Sequence, residues 1–285
     1  MPLSTFHLLG AGRVGQTLAA LWSQSGHYRL QQVYSRRPES GQALLQRTLS
    51  GKLCADVTQL TPADIIVVTT PDHAIASVAA QLSTLPWLTP DTLVLHCSGL
   101  LSSHSLAALS RFGVQLGSLH PVFAFADVDR AMATLSGKLC ALEGDAAALP
   151  RLRRLAECIG LQAFVLATEQ KVRYHAALSA SANFLVTLAD FAQSLLRDSA
   201  LPEPVQQQLV LGLMQQNLDN LHHLPPAAAL TGPIVRGDAA TVAAHWHSLN
   251  ADQQNLYRSL AQATLSLAAA RLTPAQIDRL QAVWD

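Results

Sequence analysis

A chain of 285 residues is long for one hydrophobic core and comfortable for two domains. Hydrophobic residues make up 49% of it and charged residues only 13%, which implies extensive burial, including burial in a subunit interface. Lysine plus arginine and aspartate plus glutamate both number 19, so the formal net charge is zero, without the basic excess of a nucleic-acid binder or a polybasic membrane anchor.

In chain order, residues 6–9 predict a strand that enters a glycine turn, 14–24 a helix and 30–34 a second strand. Residues 65–69 are an unbroken β-branched run, as expected for a strand covered on both faces. Further strands are predicted over 93–96, 114–119, 139–142 and 163–166. Strands alternating with helices imply a parallel, doubly wound sheet. After Thr168 the pattern becomes helical only, with helices predicted over 170–196, 204–222, 239–248, 253–270 and 274–283. Asp238 and Thr273 read as N-caps, the latter followed by proline at the first helical position. The expected organisation is therefore α/β: a sheet domain over 1–168 and an all-α domain over 169–285.

The N-terminus, MPLSTFHLLGAG, has neither a basic region before an apolar run nor a cleavage pattern, so no secretory signal is expected. No apolar run reaches membrane-spanning length. The four cysteines, Cys54, Cys97, Cys140 and Cys158, lack the paired spacing of a zinc site and read as reduced thiols. A cytoplasmic location, no metal, no nucleic acid and no membrane partner are expected.

Gly10-Ala11-Gly12-Arg13-Val14-Gly15 is a GxGxxG that follows a strand and opens a helix. In that context it reads as a dinucleotide-binding turn of the Rossmann type. Gly10 permits the tight turn, Gly12 lets the backbone approach a pyrophosphate, and Gly15 lets the helix pack on the strand. The phosphates would rest on the helix N-terminus, at Arg13 and Val14. At the end of the second strand an NAD enzyme usually carries an acid for the ribose hydroxyl. Here the residues are Ser35, Arg36 and Arg37, which suit a 2′-phosphate, so NADP(H) is the expected cofactor. A methyltransferase, the main rival for such a turn, would also want that acid.

Ligands in open α/β sheets bind beyond the carboxyl ends of the strands. Thr70 and Pro71, then His96 and Ser98, then His120 occupy those ends. Thr70, Pro71, His96 and Ser98 are expected at the cofactor. His73 reads as a surface residue. On the long helix Lys171, His175, Ser179, Asn183 and Thr187 recur every four residues and share one face. A polar stripe on an apolar helix needs partners. Lys171, His175, Ser179, Asn183 and His120 are the catalytic candidates, with His175 or His120 as proton donor because imidazole titrates near neutral pH. Arg236, in a loop fixed by Gly232, Pro233 and Gly237, is the candidate to hold an anionic substrate.

GAGRVG, VYSRR, PDHAI, LHCSG, GSLHP, YHAALSASANF and LTGPIVRGD together resemble the Rossmann-like oxidoreductases whose C-terminal domain is known as DUF2520. The resemblance spans nearly the whole chain. It implies a helical domain in the style of the pyrroline-5-carboxylate reductases and 6-phosphogluconate dehydrogenases, and a homodimer through the helices. Some proteins that look like this are associated with ketopantoate reduction, which makes a 2-keto acid a lead. Related β-hydroxyacid dehydrogenases carry a lysine on this helix and an asparagine one turn later, a register that Lys171, His175 and Asn183 do not reproduce. His120-Pro121 is similar to the His-Pro of prephenate dehydrogenases. The expected activity is hydride transfer between NADPH and a small carbonyl or imine compound that bears a carboxylate. The alternative is a non-catalytic NADP-binding sensor or interaction protein.

Overall fold

The computed structural model describes residues 3–285. The chain separates into two compact units, Met1–Asn183 and Phe184–Asp285. The change to all-helical sequence after Thr168 and the division of contacts after Asn183 are thus different boundaries. The long helix begins in the first unit and ends in the second.

The described residues of the first unit form one eight-stranded sheet. Its strands are β1 (Ser4–Leu9), β2 (Tyr28–Tyr34), β3 (Lys52–Cys54), β4 (Ile65–Val68), β5 (Leu93–His96), β6 (Gln115–Pro121), β7 (Leu139–Gly144) and β8 (Gln162–Val165). They lie in the order β3-β2-β1-β4-β5-β6-β7-β8. The helices are α1 (Arg13–Gln24), α2 (Pro38–Thr48), α3 (Asp72–Leu82), α4 (Val128–Thr134) and α5 (Leu149–Glu157), with a 3-10 segment at Ser103–Phe112. Then come α6 (Lys171–Ser194), α7 (Glu203–Leu221), α8 (Pro226–Ala229), α9 (Ala239–Ser248), α10 (Ala251–Ala268) and α11 (Pro274–Gln281). Among the described residues no helix is long and apolar enough to cross a membrane.

Side chains alternate between the two faces of the sheet, and each face has its own core. Leu8, Val67, Leu95, Leu119 and Leu142 pack with Leu18 and Trp22 of α1 and Leu152 of α5. Leu9, Ile66, Val68, Val94 and Leu116 pack with Ile75, Val78 and Leu82 of α3. All four residues of β4 are buried, as expected for a strand covered on both faces. Trp22 is fully buried, its ring edge-on to Phe6 at 5.8 Å, and its indole N–H donates to the Leu155 carbonyl at 2.7 Å. Burying such a side chain stabilises by about 1.5–3 kcal/mol, provided its polar atom finds a partner.

The sheet departs from the expected all-parallel form at one place. β7 runs antiparallel to β6, with Pro121 opposite Cys140 and Gly117 opposite Gly144, whereas the other pairings are parallel. The link through α4 returns the chain beside the end of β6 instead of crossing back over the sheet. Neither β3 nor the 3-10 segment was expected. β3 is only three residues long, too short to show a period.

The second unit has a small core of Val242, Ala261, Leu265, Leu280 and Trp284. The starts of α9, α10 and α11 are capped by side chains. Asp238 accepts from Thr241 N–H at 3.1 Å, and Thr273 and Gln276 form a reciprocal capping box ahead of Pro274. Every residue of α7 keeps part of its surface exposed. Leu209, Leu211 and Leu213 are 52%, 45% and 62% exposed, and on α6 Val172, Phe184 and Val186 are similarly open.

Candidate active site

Strand registers place Tyr34, Leu9, Val68, His96 and Ser118 in one row across the sheet. The segments that follow this row make up the carboxyl edge. They are Ser35–Arg37, Gly10–Gly12, Thr69–Pro71, Cys97–Gly99 and Leu119–Pro121. The strand order turns around between β1 and β4, where ligands bind in open α/β sheets.

A cavity of about 950 Å3 opens at that point. Gly10, Gly12, Thr70 and Pro71 line one end, and Ser35, Arg36 and Arg37 another. The glycine turn is sterically determined. Gly10 has φ +102°, and a Cβ there would meet the Thr69–Thr70 backbone at 2.8–2.9 Å. A Cβ on Gly15 would collide with the Gly10 carbonyl oxygen and come within 2.5 Å of the Thr69 hydroxyl. At Gly12, by contrast, a Cβ would meet nothing within 4 Å. Gly12 caps α1 without any side-chain cap, and the first turn holds no acid. The helix N-terminus is therefore left for an anion. The Thr70 hydroxyl on the cavity wall is buried and has no partner within the protein. These features fit a dinucleotide.

Sequence reasoning missed part of this cavity. Ser40, in the first turn of α2, lies on its wall beside Arg36 and Arg37, as do Ser77 and Gln81 of α3. His73 also lines it while remaining exposed. Arg13 and Val14 open α1 beside the cavity rather than on its wall, and Val14 packs against the core.

His96 and Ser98, expected at the cofactor, are committed elsewhere. Ser98 N–H donates to Nδ1 of His96 at 3.1 Å, which leaves Nε2–H to donate to the Ser102 carbonyl at 3.0 Å. The Ser98 hydroxyl donates to Asp72 at 2.7 Å and accepts from the N–H groups of Leu100 and Leu101. These bonds shape the loop after β5 and leave neither ring nitrogen of His96 for a ligand. Burial raises the thiol of Cys97, the next residue, to about 12, so it is no thiolate nucleophile.

Two imidazoles converge above Gly99. A Cβ on Gly99 would lie 2.7 Å from Nε2 of His120 and 2.9 Å from Cδ2 of His175, so a methyl there would push on both rings. The two imidazole centroids are 6.4 Å apart. Nδ1 of His120 is 2.9 Å from the hydroxyl of Tyr174, a residue that sequence reasoning did not single out. His175 is half-buried. Burial holds His120 down at about 4, helped by the nearby charge of Lys171 and by His175, against the pull of Asp72. Tyr174 is pushed up to about 12 by burial, then by Cys140.

Lys171, expected as a catalytic side chain, is 2% exposed. Its ammonium donates to the Ser98 carbonyl at 3.2 Å and the Ser118 hydroxyl at 2.8 Å, and lies 3.9 Å from Glu143 Oε2. Glu143 is also buried. A lone carboxylate in the apolar run Leu139–Gly144 was the signal that could have found it, because buried acids are rare without a partner. Further along α6, Ser179 is half-buried while Asn183 and Thr187 are exposed, so the polar stripe runs from interior to surface. In the second unit Arg236 is exposed on its loop, and its carbonyl accepts from the Gln276 amide at 3.3 Å.

Residues 5–96 match the model of the NADP oxidoreductases described as coenzyme F420-dependent, and residues 138–264 match the DUF2520 domain. The class is thus defined: the protein is an NADP-dependent oxidoreductase with a Rossmann domain. Within that class it is similar to the oxidoreductases that carry a C-terminal DUF2520 domain. Among solved structures it is similar to a protein of Bacteroides fragilis provisionally described as an NADP oxidoreductase. The identity is 23% over 93% of this chain and 98% of that one, with a TM-score of 0.78. A Thermotoga maritima protein, described without an activity, is 26% identical over the same shares, with a TM-score of 0.71. The pyrroline carboxylate reductase of Plasmodium falciparum, solved with NADP bound, shares the fold at 12% identity and a TM-score of 0.59, covering 99% of this chain and 98% of that one. No curated protein matches the chain.

Proposed function

We propose that the protein reduces a small carbonyl or imine compound bearing a carboxylate, with His175 as proton donor and His120 as a neutral hydrogen-bond donor. The observation that carries this reading is the convergence of both imidazoles above Gly99, on the sheet edge that also holds the glycine turn. NADPH, when bound, supplies a hydride to the electrophilic carbon. Gly10, Gly12 and Thr70 would hold its pyrophosphate, and Ser35, Arg36, Arg37 and Ser40 its 2′-phosphate. In this reading the Tyr174 hydroxyl, 2.9 Å from Nδ1 of His120, donates to it, and the ring proton lies on Nε2, on the Gly99 side. With its pKa near 4, that ring stays uncharged at neutral pH, so it polarises a carbonyl or imine without delivering a full proton. The half-buried His175 passes the proton to the oxygen or nitrogen and is refilled from solvent. Ser179 and Asn183, farther along the same helix, orient the substrate. Arg236 is the group we assign to the carboxylate.

We further propose a homodimer that covers α6 and α7. Both helices leave large apolar side chains open beside their polar ones, and contiguous exposed apolar surface marks an interaction site. Their exposed leucines, valines and Phe184 carry little charge to repel a second copy. The four free cysteines suit a reducing cytoplasm, where we place the enzyme.

The test is a screen of 2-keto acids and cyclic imino acids that follows NADPH oxidation, with His175→Ala alongside. That variant is expected to bind NADPH normally and to lose about 10²–10⁴-fold in kcat. A matching loss of NADPH affinity and melting temperature would make His175 structural and rule out the donor role. Arg236→Ala is expected to raise KM with little change in kcat.

A further inference from the structure

We propose that Lys171 is the positioning residue of the His120–His175 pair, fixing the register of α6 on the sheet and the electrostatic surroundings of the His120 ring. The proposal rests on the reading that these two histidines serve the transferred proton.

Each anchor of the ammonium is one structural step from a residue of the pair. Ser98, whose carbonyl accepts from Lys171, directly precedes Gly99, over which both rings lie. Ser118, whose hydroxyl accepts from Lys171, stands two residues before His120 on β6 and so on the same face of the strand. Lys171 itself stands four residues before His175, one turn back on the same face of α6. A single buried cation therefore ties together the three backbone segments that carry Gly99, His120 and His175.

Glu143 holds that cation in place and is itself fully engaged. It accepts from Ser103 N–H at 2.9 Å, from the hydroxyls of Ser103 at 2.8 Å and Ser118 at 3.0 Å, and from Thr168 at 3.1 Å just before α6. Burial alone would raise its carboxyl, but these bonds and Lys171 outweigh it and hold it below the usual range. Burial conversely draws Lys171 below the usual ammonium range, against Glu143 and Asp72.

A buried ion pair is weak evidence of stability, since apolar side chains of similar volume often serve as well. What apolar side chains cannot supply is a fixed charge beside a titrating ring. The charged and titratable groups facing His120 are Lys171, Tyr174 and His175 of α6, Asp72 of α3 and His96 of β5. After burial, Lys171 contributes most to keeping the ring neutral, and Asp72 alone opposes it among the carboxylates.

The test is an NMR titration of the full-length protein labelled in its histidine rings, without substrate or cofactor, with the His120 signal assigned through His120→Gln. In Lys171→Met the His120 midpoint should rise by about one pH unit. The same rise is expected in Lys171→Met with Glu143→Gln, which removes both charges and spares the fold an unpaired buried carboxylate. Lys171→Arg, which keeps the charge, should leave the midpoint low. An unchanged midpoint in the first two variants, or an equal rise in Lys171→Arg, would overturn the proposal. Because no turnover is involved, this outcome stands apart from failure of the hydride-transfer reading, which the substrate screen decides.

Discussion

α1 and α7 show how differently the two units use apolar sequence. Half of the twelve residues of α1 are buried, including Leu18 and Trp22, against a sheet whose fourth strand is buried throughout. α7, nineteen residues long, keeps part of every residue's surface exposed, with leucines open to about half. The sheet unit thus fills its own two cores and has enough surrounding protein to bury an ion pair, Lys171–Glu143, beside its histidines. The helical unit carries apolar residues beyond the needs of its small core. Burial in the first serves the fold and the site; exposure in the second is what the proposed dimer would cover.

The largest effect that would break this contrast is at α6 and α7. Phe184→Glu combined with Leu213→Glu puts uncompensated charge into the proposed interface, at about 3–5 kcal/mol each. Sedimentation equilibrium should show at least about a hundredfold weaker dimer. NADPH affinity should not change. A monomer at micromolar concentration before any substitution would sink the dimer and leave the exposed helices without a reason.

Gly15→Ala probes the self-sufficient core instead. Its added methyl meets the Gly10 carbonyl and Thr69. Calorimetry should show a loss of about 1–3 kcal/mol, together with weakened NADPH binding. Retained stability and affinity would mean that the turn yields more readily than its geometry implies.

Arg36→Ala addresses the wet, exposed end of the same unit. A charge-assisted contact to a 2′-phosphate contributes about 1.5–3 kcal/mol, so the preference for NADPH over NADH should fall roughly tenfold to a hundredfold by titration calorimetry. Equal affinity for the two cofactors in the unmodified protein would refute the assignment of Ser35, Arg36 and Arg37.

The gentlest probe is acid. Burial lowers His7, His96 and His120, the last from the usual 6.5 to about 4. A lowered folded value means the unfolded chain takes up the proton first. The stability is therefore present above about 6.5 and lost as the pH falls from there towards about 4. Each histidine adds at most about 1.4 kcal/mol per pH unit. Urea midpoints should decline between pH 6.5 and 5, and His120→Gln should flatten the decline. A midpoint independent of pH would show that these rings are not buried as neutral groups.

Much of this was legible in the chain. The β-branched run at 65–69 marked the central strand, and GAGRVG marked the turn, because steric limits on glycine and the burial of a two-faced strand act within a few residues. Asp238 and Thr273 were legible as caps for the same local reason. Ser35, Arg36 and Arg37 were legible as residues at the end of the second strand and do line the cavity, whereas Ser40, Ser77 and Gln81 came to it through the packing of α2 and α3.

The sequence by itself determined most of the elements, the glycine turn and the family likeness, since each rests on neighbours in the chain. Only the tertiary structure decided which polar residues meet. It turned β7 against β6, closed His96 and Ser98 into a loop of their own, and set Tyr174 on His120 across 54 residues of sequence. It also drew Lys171, a catalytic candidate on the polar stripe, inward to Glu143. A stripe repeating every four residues says that side chains share a face. How deep each one sits depends on the neighbouring strands, whose registers bring together residues far apart in the chain.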